Sequence, residues 1–214
     1  MSDDPHQHAR TALLEQLFHR GIRDRRVLSA MSRVPRHLFV PAEMRAHAYE
    51  DEVIPLTTGS TLSQPYVVAT MLEALALRGG ERALDIGSGS GYTTALLCEL
   101  AGMVYGIEMD AQLSELSARR LRDLGYQNFQ IRAGDGWEGW PDHFPYDAIQ
   151  VSAAVPAIPP KLLDQLAAGG RLVAPVGGSE HQMLRVLHLS DDGSTTSVRD
   201  IFPVRFVPLV RGSA

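Results

Sequence analysis

Ala83-Leu84-Asp85-Ile86-Gly87-Ser88-Gly89-Ser90-Gly91-Tyr92 is the stretch from which the fold is read. Ala83, Leu84 and Ile86 favour a short buried strand, and Thr94-Ala95-Leu96-Leu97 continues as a helix. Between them, three glycines at alternate positions admit positive φ and carry no Cβ to hold a ligand away. The amides at the start of the next helix then face an open cleft. The stretch is a cradle for a nucleotide-like ligand.

Downstream, strand and helix alternate. Strands are expected at Arg82–Ile86, Met103–Glu108, Phe129–Ala133, Asp147–Val151 and Arg171–Pro175, and helices near Tyr92–Leu100, Ala111–Leu124 and Pro160–Ala167. That alternation predicts an α/β fold, a doubly wound Rossmann-like sheet that is mostly parallel. Beyond Val176 the pattern changes. His181–Leu189 and Ser197–Arg205 read as an antiparallel hairpin joined across Asp191-Asp192-Gly193-Ser194. A separate small β domain is the alternative, but the segment is too short for a core of its own.

Upstream lies an N-terminal helical extension. The first ten residues read as disordered, and Leu13, Leu14, Leu17 and Phe18 then mark a helix that Gly21 stops. Asp24 can cap a second helix with Val27, Leu28, Met31 and Val34 inside, and Pro35 ends it. A third short helix starts at Pro41. Periodicity disappears from Tyr49 to Gln64, where Thr57, Thr58, Gly59, Ser60, Thr61 and Ser63 suggest an ordered loop. Pro65 suits a first helical turn with Val68, Met71, Leu72 and Leu75 inside. Ser63 or Gln64 would then stand at the N-terminus of that helix, where the dipole favours an anion. One domain over 1–214 is expected, with 1–80 the lead-in and loop and 81–214 the cofactor-binding core and C-terminal strands.

Composition narrows the function. At 214 residues, 44% hydrophobic and 21% charged, the chain has enough apolar content for a sizeable core. A net charge of −5 argues against general nucleic-acid binding. Arg23, Arg25 and Arg26, interrupted by Asp24, read as a solvated helix end. The single cysteine, Cys98, excludes an internal disulfide and reads as a buried thiol. No apolar stretch is long enough to span a bilayer, and Met1-Ser2-Asp3-Asp4-Pro5-His6 is the reverse of a signal peptide. A cytoplasmic location is expected, with no membrane partner. The histidines, including His6, His8, His143, His181 and His188, lack ligand spacing, so no metal is expected. Trp137 and Trp140 read as packing residues.

Spacing chooses among ligands. A dinucleotide turn has the form G-x-G-x-x-G, whereas this one is G-x-G-x-G with Asp85 two residues ahead. A carboxylate there would repel a pyrophosphate but attract a cation. S-adenosylmethionine carries an ammonium and a sulfonium and no phosphate. Glu108 ends the second strand about twenty residues past the turn, where a carboxylate can bind ribose hydroxyls. Asp135, in Gly134-Asp135-Gly136 after the third strand, can accept from an adenine amino group. The expected cofactor set is Asp85, Gly87, Ser88, Gly89, Glu108, Asp135 and Gly136. S-adenosylhomocysteine would be the product.

Other segments carry a resemblance. Val34-Pro35-Arg36 with Phe39-Val40, Thr61-Leu62-Ser63-Gln64-Pro65-Tyr66, the glycine turn, Gly134-Asp135-Gly136-Trp137, Tyr146-Asp147-Ala148-Ile149, Ala153-Ala154-Val155-Pro156 and Val204-Arg205-Phe206-Val207-Pro208-Leu209 occur in order. Over nearly its whole length the chain resembles the protein-L-isoaspartate O-methyltransferases. The resemblance implies a seven-stranded methyltransferase sheet and methyl transfer to the free α-carboxylate of isoaspartyl residues in damaged proteins. The resulting ester would cyclise to a succinimide. It also implies that Ser63 is the catalytic and substrate-orienting residue, with Val204, Phe206 and Val207 as further substrate contacts, an ordinary core strand being the alternative for these three. Thr61, in the same loop as Ser63, reads as a loop-stabilising hydroxyl. Without the resemblance, Ser63 reads first as a helix N-cap. The alternatives are a methyltransferase of another carboxylate or small molecule, and a non-catalytic binder of damaged protein. A monomer is expected, because no heptad seam or long apolar surface stripe is visible.

Overall fold

The computed structural model describes residues 5–56 and 59–212. Arg82–Ile86 (β3) is buried from Ala83 onward because it lies between two parallel neighbours, Met103–Glu108 (β4) and Tyr146–Val151 (β6). Beyond β4 lies Phe129–Ala133 (β5), also parallel. On the other side Leu166–Gly177 (β7) joins β6 in parallel, and Gln182–Leu189 (β8) and Thr196–Val204 (β9) complete the sheet antiparallel. The order is β5-β4-β3-β6-β7-β8-β9. The hairpin therefore extends the main sheet, and the alternative of a separate β domain is excluded.

Side-chain alternation divides the core. Ala83, Val104, Ala148 and Val173 belong to one apolar cluster, and Leu84, Tyr105, Ile149, Leu172 and Ala174 to the other. Successive strand residues point to opposite faces, so the two clusters cover both sides of the sheet. The first receives Tyr92–Leu100 (α4), Ala111–Asp123 (α5), Arg25–Arg33 (α2) and Pro65–Leu75 (α3), through residues such as Leu96, Leu121, Val27 and Leu72. Cys98 is buried there, and burial pushes its thiol well above the usual range.

Four local readings are corrected. Gln7–His19 (α1) is already helical at residues 7–10, although the first ten residues read as disordered. Long-range contacts anchor it: Arg10 donates to the Tyr49 hydroxyl and the Ser32 carbonyl, and His6 stacks on His37 at 4.1 Å. Residues 1–4 lie outside the described residues. The basic run at 23–26 is not simply a solvated end, because Arg26 donates to the carbonyls of Leu77 and Leu100. Asp24 caps α2 as expected, accepting from the Arg26 amide at 2.8 Å. The helix at Pro160 stops at Leu163 (α6) rather than Ala167, because Leu166 pairs with Tyr146 and already belongs to β7. Trp140 is buried packing, but half-buried Trp137 also donates through Nε1 to the Leu209 carbonyl at 3.1 Å.

Within the unperiodic segment, Ile54–Pro55 (β1) pairs antiparallel with Thr61–Leu62 (β2). Thr57 and Thr58, read as part of that loop, lie outside the described residues. Strand order reverses between β3 and β6, and a cleft opens at the carboxyl ends of strands at such a switch point. There the site is built.

Candidate active site

Two cavities meet at that edge, and Thr61 lines both. The first, about 360 Å³, has the glycine turn as its floor, with Gly87, Gly89, Ile107, Glu108, Gly134, Gly136, Ser152 and Ala153 among its lining. Residues 207–210 form another wall. Gly87 and Gly89 have φ of 78° and 54°, a region that favours glycine. Gly136 has no room for a side chain: an added Cβ would come within 2.6 Å of the Ile86 side chain.

Glu108 is held in place by the turn it faces. The Gly89 amide donates to Oε2 at 2.8 Å and the Asp110 amide to Oε1 at 3.1 Å. Each carboxylate oxygen keeps lone-pair capacity for a further donor, such as a sugar hydroxyl. Among the described residues, no lysine, arginine or histidine lines this cavity and its one ionisable lining group is Glu108, an environment that suits a cation and disfavours a phosphate.

Asp85 is completely buried. The Thr94 hydroxyl donates to Oδ2 at 2.7 Å, while Oδ1 has no hydrogen-bond partner among the described residues. Burial pushes this carboxyl up to about 7; the Thr94 hydroxyl opposes the shift, the Glu108 charge adds to it, and the Ser152 hydroxyl opposes it. An acid so placed ionises readily once a cation comes near. Asp135 caps a short turn, accepting from the Trp137 amide at 2.8 Å and the Gly212 amide at 3.1 Å. Thus Gly87, Gly89, Glu108 and Gly136 of the expected set line the cavity. Asp85, Ser88 and Asp135 do not, and the Ser88 side chain packs toward Gly106 of β4.

The second cavity, about 660 Å³, brings Ser63 beside Val204 and Phe206 across more than 140 positions of sequence. Arg20, Val53, Gln64, Tyr66, Phe202 and Arg205 are among its other lining residues. Val207 falls in the first cavity instead. Ser63 is half-buried and is not the N-cap of α3; Gln64 holds that position and its side chain makes no capping bond. The cap comes from Asp51, whose Oδ1 accepts from the Tyr66 amide at 2.8 Å. Its Oδ2 accepts from Gln64 Nε2 at 3.2 Å and also pairs with Arg20. The Ser63 hydroxyl is therefore not spent on capping.

Sequence reasoning missed Asp51 and Gln182. Asp51 sits in the acidic run Glu50-Asp51-Glu52, and nothing local distinguishes it. The Gln182 amide grips Phe206 at both backbone groups, accepting from its N–H at 2.7 Å and donating to its carbonyl at 3.1 Å. Only the β8–β9 pairing shows why Gln182 matters, since it lies opposite Val204.

Residues 8–214 match the family Protein-L-isoaspartate(D-aspartate) O-methyltransferase (PCMT). The chain belongs to this family. It is 52% identical over 209 residues to Protein-L-isoaspartate O-methyltransferase 2 of Anaeromyxobacter sp. (strain Fw109-5), covering 97% of this chain and 85% of that one. It is 49% identical to Protein-L-isoaspartate O-methyltransferase of Roseiflexus castenholzii (strain DSM 13941 / HLO8), over 96% and 93% of the two chains. A solved beta-aspartate methyltransferase from Plasmodium falciparum, in complex with S-adenosyl-L-homocysteine, superposes with a TM-score of 0.81 at 28% identity. That match covers 94% of this chain and 98% of the other. As a PCMT member, the chain is an S-adenosylmethionine-dependent protein repair methyltransferase acting on L-isoaspartyl residues. Among the described residues, no group of three His, Cys, Asp or Glu could hold a metal ion, and no helix is long and apolar enough to cross a membrane.

Proposed function

We propose that the two cavities divide the reaction between them: the glycine-turn cavity holds S-adenosylmethionine and the Ser63 cavity holds the isoaspartyl segment of a damaged protein. What carries this reading is Ser63 beside the β9 end, in a cavity that shares Thr61 with the glycine-turn cavity. When bound, S-adenosylmethionine supplies an electrophilic methyl group on a sulfonium.

The chain's own residues bind, orient and exclude water. Gly87, Gly89 and Gly136 leave backbone room for the cofactor, and Glu108 accepts from its ribose hydroxyls. Asp85 supplies negative charge from behind the turn, and Asp135 keeps acceptor capacity for the adenine amino group. Ser88 contributes the backbone of the turn. The substrate carboxylate is ionised at neutral pH and needs no general base. The Ser63 hydroxyl donates to it and fixes one oxygen toward the other cavity. Such orientation can supply about 7–11 kcal/mol in well-aligned systems. Val204, Phe206 and Val207 give the approach apolar walls. Water exclusion by those walls favours a step in which carboxylate and sulfonium charges cancel. Arg205 adds a positive charge at the rim that attracts the carboxylate. The reading is of a monomer working in the cytoplasm, with an open groove accessible to a large substrate protein.

Ser63→Ala tests the assignment. It is expected to lower kcat/KM for an isoaspartyl peptide about 100-fold, the scale of losing an oriented donor. The dissociation constant for S-adenosylhomocysteine, measured calorimetrically, should not move. An unchanged rate would remove Ser63 from the chemistry.

A further inference from the structure

Arg36 is completely buried, between the helical lead-in and the sheet. Its Nε donates to the Ala48 carbonyl at 2.8 Å and its Nη2 to the Ser63 carbonyl at 2.9 Å. Its guanidinium carbon stands 4.8 Å from the centre of the Tyr92 ring, within cation–π range. Tyr92 is the first residue of α4, directly after Gly91 of the glycine turn. Phe39 packs edge-on against the same ring at 5.4 Å. One side chain thus touches the lead-in, the backbone of Ser63 and the start of the helix behind the cofactor turn.

Stability alone does not account for this arrangement. A buried cation is costly to desolvate, and apolar replacements of similar volume are often at least as stabilising. What the guanidinium does that an apolar side chain cannot is hold two carbonyls at a fixed spacing with a rigid planar fork. One of those carbonyls belongs to Ser63 itself, so the fork determines where the Ser63 hydroxyl stands relative to the cavity holding the methyl donor.

We propose that Arg36 is a positioning residue for methyl transfer, acting through Ser63 by fixing the Ser63 backbone against the lead-in and the helix of the cofactor turn. The proposal rests on the reading of Ser63 as the substrate-orienting group. Lysine at this position keeps a charge but has a single nitrogen, which cannot reproduce the fork.

A double-mutant cycle tests it. Arg36→Lys is expected to lower kcat/KM for an isoaspartyl peptide about 30-fold, the scale of a misplacement below 1 Å. The rate is referred to sites titrated with S-adenosylhomocysteine, so loss of folded protein does not enter. In a Ser63→Ala background the same substitution should change kcat/KM less than about twofold, because residues acting as a unit are non-additive. An equal factor in both backgrounds would assign Arg36 a purely structural role and overturn the proposal. A rate unaffected by Ser63→Ala alone would instead overturn the reading of Ser63. Should Arg36→Lys fail to fold, the unmodified protein labelled with nitrogen-15 at arginine provides the test. The Arg36 Nε–H resonance should shift on adding an isoaspartyl peptide and stay put with the aspartyl peptide. No shift with either would overturn the proposal.

Discussion

The glycine-turn cavity and the Ser63 cavity share a wall at Thr61 but are assembled in opposite ways. The first comes mainly from strand ends and the turns that follow them: β3 into Gly87 and Gly89, β4 into Glu108, β5 into Gly134 and Gly136. Its chemistry is carried by short sequence patterns and its charge is negative. The second joins Arg20, the Ser63 loop and the end of β9; Arg20 is neutralised by its pair with Asp51, and Arg205 supplies the positive charge of the rim. The acidic cavity suits a cationic methyl donor and the basic-rimmed groove suits a carboxylate acceptor. Substitutions on one side should therefore affect cofactor affinity and those on the other peptide kinetics. A substitution that moved both equally would break the division.

The largest effect is expected at Asp85. Asp85→Asn removes the buried acid behind the turn and should weaken S-adenosylmethionine binding by about 1.5–3 kcal/mol, the range for an interaction with an ionised group. Without cofactor the sign reverses. With the Asp85 carboxyl at about 7 in the folded protein and its ordinary value 3.8, the folded state keeps a proton that the unfolded state has lost across that window. Stability of the unmodified protein should therefore fall as pH rises from about 4 to 7 and level off above. Asp85→Asn should flatten that slope, as urea titrations at pH 5 and pH 8 would show. Binding of the cationic donor should tighten with rising pH over the same interval and release protons, which calorimetry in buffers of different ionisation enthalpy would detect.

Gly136→Ala comes next. Its Cβ would meet Ile86 at 2.6 Å and Leu209 at 3.2 Å, and such overpacking costs about 1–3 kcal/mol. Denaturant melts should record that loss, and cofactor affinity should fall while the peptide KM holds. On the groove side, Asp51→Asn gives the Tyr66 N–H a weaker oxygen to donate to and leaves the Arg20 cation without its partner. Its cost is about 1–2 kcal/mol, with a raised peptide KM and unchanged cofactor affinity. Smallest is Trp137→Phe, which deletes the bond to the Leu209 carbonyl, keeps an aromatic face for the Arg211 guanidinium 4.4 Å away, and should cost about 0.5–1.5 kcal/mol. Hydrogen exchange at residues 207–210 would localise it.

The same contrast explains what was legible in the sequence. The sequence reading of β3, β4 and α4 has the bounds they have, because strands buried on both faces show as short apolar runs and the turn between β3 and α4 is local chemistry. The edge strand β5, with no buried residue, is legible only from its place in the strand–helix alternation. The sequence carries α6 past its end because it shows apolar Leu166 and Ala167 but not the strand that captures them. There Gln165 ties the corner, donating to the carbonyls of Glu138 and Lys161 and accepting from the Trp140 amide. The start of α1 is hidden in the sequence because polar contacts with Tyr49 and Ser32, not apolar spacing, hold its first turn. Ser63 could be singled out, but not freed from its capping role: that depends on Asp51, which folds back from twelve positions upstream to cap α3 in its place. Single-residue donors reaching across the chain leave no periodic trace.

The most direct test of the account offers labelled S-adenosylmethionine and the unmodified protein two peptides that differ only in an aspartyl or isoaspartyl linkage. Base-labile methyl label is predicted on the isoaspartyl peptide alone. Equal label on both peptides, or label on neither with the cofactor bound, would contradict it.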